Sequence, residues 1–312
     1  MQVLIDVILP VFLLIAFGYG AARAGIFRES AVEGVMTFAQ TFAAPCLLFR
    51  SIATLDLAQD YSFGLMASFY IGAFASFAAG FFGARLLFSR PAADAVAIGF
   101  CCLFSNSLLL GVPITERAYG TAALAGNFAI ISVHAPVFYA FGITLMEIVR
   151  SRGQGLPVAR VARQVATGIL TQPLVIGILC GFAVNLAGNP LPGPVWDMTG
   201  MLAATALPTA LFALGGVLVR YRPEGDRMTI GMVVVCSLVL HPAIAYGLTR
   251  FGFGLGTDAL RSVTVTAAMA PGVNAYVFAN MYGTAKRVAA SGVLVGTAVS
   301  ILTAWVWLGV LP

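Results

Sequence analysis

Charged side chains are scarce in this sequence of 312 residues. They make up 9% of it, whereas hydrophobic residues make up 60% and the mean hydropathy is +0.96. Soluble domains carry about 25% charged residues, so a soluble globular domain is excluded. The few charges fall between apolar stretches of roughly 20 residues, which is the length that crosses a bilayer as a helix. The composition therefore predicts an all-α membrane protein.

Spaced metal-binding and redox motifs are also missing. All five cysteines lie within apolar runs, and Cys101 and Cys102 are adjacent rather than in a C-x-x-C pair. Such cysteines act as small hydrophobic side chains, so neither a metal nor a cofactor is expected. The first apolar run has no basic segment before it and no A-x-A cleavage site. It therefore predicts a membrane helix rather than a cleaved signal peptide.

Basic residues form no cluster on a polar segment, which excludes a nucleic-acid-binding surface. Instead, 13 of the 17 basic residues fall in the loops that follow odd-numbered predicted spans. Positive charge marks the cytoplasmic side of a membrane protein. The distribution therefore predicts a multi-pass protein of a bacterial inner membrane, with both termini on the non-cytoplasmic side.

Ten transmembrane helices are predicted within a single membrane domain of residues 1–312. Residues 1–150 form a first set of five and residues 164–312 a second, separated by a basic cytoplasmic linker at 151–163. The predicted spans are 5–23, 34–53, 62–84, 93–116, 121–148, 166–187, 195–219, 228–249, 260–282 and 288–310.

The two halves match at a constant offset of 163 residues. Because each half has an odd number of helices, the second half enters the membrane from the opposite side, which predicts an inverted-topology repeat. The matching positions are Pro10 with Pro173, Gly18 with Gly181, Ala24-Gly25 with Ala187-Gly188, residues 45–49 with residues 208–212, and residues 119–122 with residues 282–285.

Spans 4 and 9 both contain an interruption, at residues 105–113 and 270–274. Proline removes a backbone donor and glycine adds freedom, so these segments are predicted to unwind near mid-membrane. Unwound backbone is tolerated in lipid only where it is buried in protein or lines a cavity. The alternative is that Pro113 and Pro271 simply kink packed helices. Asn106 and Asn274 accompany the interruptions and favour the first reading.

Paired interrupted helices indicate the substrate site of a transporter. The N-termini of the half-helices carry partial positive charge and favour an anion. The amides of Asn106 and Asn274 and the hydroxyl of Ser105 would orient it. The predicted substrate-binding residues are Ser105, Asn106, Gly111, Pro113, Pro271, Gly272 and Asn274.

At these residues the chain resembles the auxin efflux carrier family, which includes plant auxin exporters and bacterial members linked to malonate and other organic acids. The resemblance rests on residues 45–49, 106–114 and 271–282. It implies that helices 1, 2, 6 and 7 form a scaffold and that helices 3–5 and 8–10 form a moving transport part. The substrate then lies where helices 4 and 9 cross. The resemblance also implies a homodimer through the scaffold.

Two departures from the plant exporters concern the substrate. This chain has Ala275 where they have a proline, and its linker is short where many of them have a long cytoplasmic insert. Both differences favour a small bacterial organic anion, such as malonate, moved by elevator-type alternating access. An amino acid or an auxin-like acid is the alternative substrate.

Ionisable residues are almost absent from the predicted membrane interior. His134 and His241 are the candidates for proton coupling, and a structural hydrogen bond to a neighbouring helix is the alternative for each. No mid-membrane Asp or Glu accompanies Asn106 and Asn274, so a sodium site is not expected.

Two other classes of function remain as alternatives. An intramembrane hydrolase needs a nucleophile with a base in reach, and the sequence has no G-x-S-x-G elbow, so an enzyme is not expected. A channel or receptor could also be built from inverted repeats. Saturable flux with counterflow would distinguish a carrier from a pore.

Overall fold

The computed structural model describes residues 2–151, 158–222, 224 and 226–312. Within these ranges the chain is helical and forms no strand, which confirms the predicted all-α class. In chain order the helices are α1 (Leu4–Arg23), α2 (Glu29–Ala53), α3 (Phe63–Leu86), α4 (Ala92–Leu103), α5 (107–119), α6 (Thr121–Ser151), α7 (Val158–Leu170), α8 (Pro173–Leu186), α9 (Gly193–Leu218), α10 (Arg227–Gly252), α11 (Thr257–Ala267), α12 (Val273–Tyr282) and α13 (Lys286–Val310).

Seven helices of the described chain are long and apolar enough to cross a membrane: α1, α2, α3, α6, α9, α10 and α13. Helices α7 and α8 meet at a bend of 74° and add an eighth span if they are counted as one. Predicted spans 4 and 9 are each divided, into α4 with α5 and α11 with α12. The predicted count of ten therefore requires that each of these pairs crosses the membrane as one unit.

Wide helical turns precede four of the prolines. Four five-residue stretches of π-helix each end two residues before a proline, namely before Pro10, Pro45, Pro113 and Pro242. A proline ring clashes with the carbonyl four residues back, and a wider turn moves that carbonyl aside. The helix thus continues through the proline. The first predicted interruption, 105–113, is therefore too long, because the chain already resumes a helix at Ser107.

The predicted linker at 151–163 needs a correction. Residues 152–157 lie outside the described part of the chain, but Val158 begins α7, so Arg160 and Arg163 lie on a helix. Val158, Val161 and Val165 recur at helical spacing, and Val161 is buried. This amphipathic spacing predicts a helix, although the basic residues between the valines suggest a polar linker.

Polar caps begin helices at the polar edges of the bundle. The Ser62 hydroxyl accepts from the Leu65 N–H before α3, at 3.3 Å. The Asp226 carboxylate accepts from the Met228 N–H before α10, at 3.0 Å. Hydrogen bonds from the Thr229 hydroxyl, from the Met228 and Thr229 N–H groups and from Arg90 hold the pKa of Asp226 below its usual range. Such caps satisfy N–H groups that have no partner within the helix.

Two close helix crossings involve residues that the 163-residue offset relates. Gly18 of α1 packs so tightly on the Phe212 carbonyl of α9 that a Cβ would overlap it. Gly181 of α8 packs in the same way on α2, where a Cβ would lie 2.7 Å from the Phe49 carbonyl oxygen. Adding 163 converts Gly18 to Gly181 and Phe49 to Phe212. The two crossings therefore use matching residues in exchanged roles.

Candidate functional site

The two broken helices are joined at their breaks. The Asn106 N–H donates to the Ala270 carbonyl at 2.8 Å, and the Gly272 N–H donates to the Phe104 carbonyl at 2.8 Å. These bonds form a short antiparallel bridge between Ser105 and Pro271. The bridge supplies partners for backbone groups that leave the helical pattern, which unwound chain inside a membrane requires.

A helix begins on each side of this bridge. Asn106 precedes α5 and Gly272 precedes α12, and no side chain of the described residues caps either start. The first N–H groups of a helix have no partner within it, and its N-terminus carries roughly half a positive charge. Two uncapped helix N-termini therefore meet at one place, which is an arrangement suited to an anion.

A cavity of about 90 Å³ lies beside the bridge. A cavity needs a volume of roughly 10–15 Å³ to hold a single water, so this cavity has room for several waters or a small solute. Its polar lining residues are Gln40, Ser105, Asn106, Ser107, His134 and Asn274. Its apolar wall comes from α2, α8 and α9 on one side and from α5 and α6 on the other.

Four of the seven predicted substrate-binding residues line this cavity: Ser105, Asn106, Gly272 and Asn274. The other three are not among its described lining residues. Gly111 lies beside Met269 one turn further into α5, Pro113 lines a separate outer cavity, and Pro271 packs against Gly296 from within the bridge. These three residues shape the two broken helices but do not face the cavity.

The two serines beside the break are paired with each other. The hydroxyls of Ser105 and Ser107 lie 2.8 Å apart, and both residues are buried. The Ser107 hydroxyl can also donate to the Ser105 carbonyl, at 3.4 Å.

The apolar wall was not predicted. Leu48 of α2, Ile178 of α8 and Ala210 of α9 line the cavity from outside the broken helices. The constant offset could have indicated α2 and α9 as partners, because it matches residues 45–49 of α2 with residues 208–212 of α9. The particular side chains depend on how the helices cross, which one sequence does not contain.

His134 and His241 have different surroundings. His134 lines the cavity, and its ring lies 4.7 Å from Phe104 and 4.5 Å from Phe138, measured between ring centres. His241 is fully buried behind Phe69, whose carbonyl oxygen lies 3.3 Å from its Nε2. The structure thus brings one of the two histidines to the candidate site.

Fixed charge at the cavity comes from backbone rather than from side chains. Among the described residues, no Asp, Glu, Lys or Arg lines it. No group of three His, Cys, Asp or Glu that could hold a metal ion occurs in the described part of the chain. The helix N-termini are therefore the main local source of electrostatic potential, and its sign is positive.

Two larger cavities, of about 560 and 640 Å³, lie between α2, α5 and α9. Arg50 and Glu116 line both of them. The Arg50 guanidinium lies 4.0 Å from the ring centre of Trp196 and donates to the Thr199 hydroxyl at 3.3 Å. The outer cavities thus hold a cation whose position is fixed.

Arg117, the neighbour of Glu116, bonds elsewhere. Its guanidinium donates to the Asp6 and Val7 carbonyls of α1. Glu116 and Arg117 form no ion pair with each other in the described part of the chain.

An apolar layer separates the central cavity from the outer ones. None of the described lining residues is shared between the central cavity and either outer cavity. Leu48 and Val112 belong to one buried cluster, and Leu47 and Leu108 pack against it. Leu48 and Leu108 face the central cavity, whereas Leu47 and Val112 face an outer one. These four side chains close the route between the two spaces.

Similarity to known proteins extends over the whole chain. Residues 3–308 match the family described as "Membrane transport protein". The chain is 25% identical over 300 residues to a Rhizobium meliloti (strain 1021) protein named "Putative malonate transporter", covering 95% of this chain and 92% of the relative. It is 23% identical over 310 residues to "Uncharacterized transporter YfdV" of Escherichia coli O157:H7, covering 96% and 95%.

A mouse relative is much longer than this chain. The chain is 24% identical over 336 residues to the Mus musculus protein named "Lysosomal cholesterol signaling protein". That alignment covers 99% of this chain but 38% of the mouse protein. The mouse protein therefore contains a segment that aligns with nearly the whole of this chain.

Proposed function

The chain belongs to the membrane transport protein family, which includes the auxin efflux carriers, and from this we propose that it is a secondary transporter of small organic anions of the malonate class. It is a multi-pass membrane protein, and membrane transporters are generally not enzymes. One observation carries the proposal. Two uncapped helix N-termini and the residues Asn106 and Asn274 meet at a small cavity that no described acidic side chain lines.

The anion class follows from the chemistry of that cavity. A carboxylate accepts hydrogen bonds only, and the first-turn N–H groups, the two amides and a serine hydroxyl are donors. An acidic wall would repel a carboxylate, and none is present among the described lining residues. The name of the Rhizobium relative supports a dicarboxylate as small as malonate as the first ligand to test.

Two inverted repeats of five helices are part of the proposal. The exchanged roles of Gly18 with Gly181 and of Phe49 with Phe212 support a two-fold relation between the halves. The two broken helices support it as well, because they meet at one bridge. In this topology α4 with α5, α7 with α8, and α11 with α12 each make one span, and the total is ten.

Membrane orientation follows from the basic residues. The excess of Arg and Lys in the odd-numbered loops supports an inner-membrane location with both termini outside. In this orientation the apolar layer of Leu47, Leu48, Leu108 and Val112 closes the central cavity toward the outer cavities and the non-cytoplasmic side.

Elevator-type movement would carry the anion past this layer. Helices α1, α2 and α9, together with the span made by α7 and α8, form the scaffold of the proposed mechanism. The broken helices and their neighbours move against it. The bound anion stays with α5 and α12, so the site moves from one side of Leu47 and Leu48 to the other. A homodimer through the scaffold completes the proposal.

Transport in proteoliposomes tests the function. Purified protein loaded with unlabelled malonate should take up labelled malonate by counterflow, with saturation. Unsaturable flux would identify a channel instead, and failure of every small carboxylate to move or bind would refute the anion class. Competition with an amino acid and with indole-3-acetate ranks the alternative substrates in the same assay.

A further inference from the structure

His134 is a buried polar side chain without a partner. It is 5% exposed, and neither ring nitrogen makes a hydrogen bond to any described residue. Buried polar groups are hydrogen-bonded in the large majority of cases, and exceptions call for a physical explanation. Its position on the wall of the central cavity, beside the Ser105 backbone, offers one. The imidazole lines the space where the anion would bind, and both of its nitrogens are buried at the edge of that space.

Aromatic rings surround the rest of the imidazole. Phe69, Phe104 and Phe138 lie 5.6, 4.7 and 4.5 Å from it between ring centres. A lone charge in such surroundings is costly, so an empty cavity favours the neutral ring. A carboxylate in contact favours the charged ring, because each then neutralises the other.

Other titratable groups near His134 are few. His241 of α10 packs on Phe69, Tyr70 of α3 packs on Phe138, and Tyr139 of α6 packs on Phe104. The described parts of α2, α4, α5, α8 and α12 add no charged side chain to the cavity wall. The carboxylate itself would therefore be the nearest negative charge to the His134 ring.

His241 differs in two of these respects. It is not among the described residues that line the cavity, and its Nε2 lies 3.3 Å from the Phe69 carbonyl oxygen. It is a packing residue of α10 and provides a matched control.

We infer that His134 contacts the transported anion and carries one proton with it, whereas His241 does not. The inference rests on the proposed function. In the cycle the neutral imidazole takes one proton from water on the side where the carboxylate enters, and the pair moves as imidazolium and carboxylate. On the other side the carboxylate leaves, and the imidazolium returns its proton to water and becomes neutral again. The net result is one proton moved with each anion, with no covalent bond formed and no oxidation.

Proteoliposomes with an internal pH dye test this coupling under a potassium and valinomycin clamp. External malonate added without a pH gradient should acidify the lumen of wild-type vesicles. An inward gradient of one pH unit should support about tenfold accumulation of malonate, the equilibrium limit for one proton per anion. His134→Gln should lose both effects while His241→Gln keeps them. Malonate-dependent thermal shifts of the purified variants check that His134→Gln still folds.

The possible outcomes distinguish proton coupling through His134 from the proposed anion transport. Malonate transport by wild type without proton movement would overturn the coupling and leave the proposed transport standing. Proton movement that persists in His134→Gln would overturn the role of His134. His134→Asn provides a second variant should the glutamine not fit. Absence of any carboxylate transport by wild type would refute the proposed function itself.

Discussion

At the scale of single residues, the two asparagines beside the helix breaks carry the recognition chemistry. Asn106 precedes α5 and Asn274 lies in the first turn of α12, and both line the central cavity. Their amides supply donors that add to those of the helix N-termini. The backbone N–H groups alone would bind many anions. The two amides are therefore expected to select among anions by their shape.

Asn106→Ala and Asn274→Ala should each abolish transport at low malonate concentration. A hydrogen bond to a charged group contributes about 1.5–3 kcal/mol, which corresponds to a roughly 10- to 150-fold loss of affinity. The KM for malonate in counterflow measures this. Asn280→Ala is the matched control, because Asn280 is exposed on the same helix. Normal transport by both cavity variants would place the site elsewhere.

Arg50→Gln should raise the KM for malonate without changing folding. Arg50 is a fixed cation that lines both outer cavities, through which the anion would reach the layer of Leu47 and Leu48. A fixed cation raises the local concentration of anions, and salt screens the effect. The difference from wild type should therefore shrink as ionic strength rises. Arg250→Gln, at an exposed position, should behave as wild type, and a salt-independent difference would argue against attraction by charge.

At the scale of helices, glycines set the closest crossings. Gly18→Ala and Gly181→Ala should each lower the melting temperature in detergent, because the added methyl meets a backbone carbonyl of the facing helix. Overpacking of this kind costs about 1–3 kcal/mol. Gly20→Ala is the control on the same helix as Gly18, because nothing lies within 4 Å of its added methyl. Equal melting temperatures for all three variants would contradict the tight crossings.

Much of the helix pattern was predictable from apolar run length alone. The ends of α1, α3, α9 and α13 lie within about two residues of the predicted spans, since charged residues mark where lipid gives way to water. The exact break in predicted span 4 was not predictable. Pro113 looked like part of it, but a wide turn over Ser107–Gly111 lets the helix run through that proline. Whether a helix bends or breaks at a proline depends on new hydrogen-bond partners for the backbone groups that the proline leaves unpaired. These partners come from the tertiary fold.

The polar part of the candidate site was more predictable than its apolar part. Asn106 and Asn274 were identifiable because an amide beside Pro and Gly is unusual inside a membrane span. The wall residues Leu48, Ile178 and Ala210 look like any lipid-facing or core residue in the sequence. Only the crossing of α2, α8 and α9 with the broken helices distinguishes them.

At the scale of the whole molecule, the proposed two-fold relation fixes the orientation of the termini. An alkaline phosphatase fusion after Pro312 should be active in a bacterial host, because ten spans return the C-terminus to the non-cytoplasmic side. A fusion after Ser151 should be inactive there, since the basic residues around it mark the cytoplasmic side. Reporter activity normalised to fusion level measures both. Activity after Ser151, or its absence after Pro312, would contradict the inverted topology.

A small carboxylate held between two helix N-termini is the central feature of the proposed mechanism. Its most direct test is a structure of the protein with 2-bromomalonate, in which anomalous scattering locates the bromine. The expected result is a single strong peak in the central cavity, within contact of Asn106, Asn274 and the first turn of α12. A peak confined to the outer cavities beside Arg50, with the central cavity empty, would contradict the proposed site.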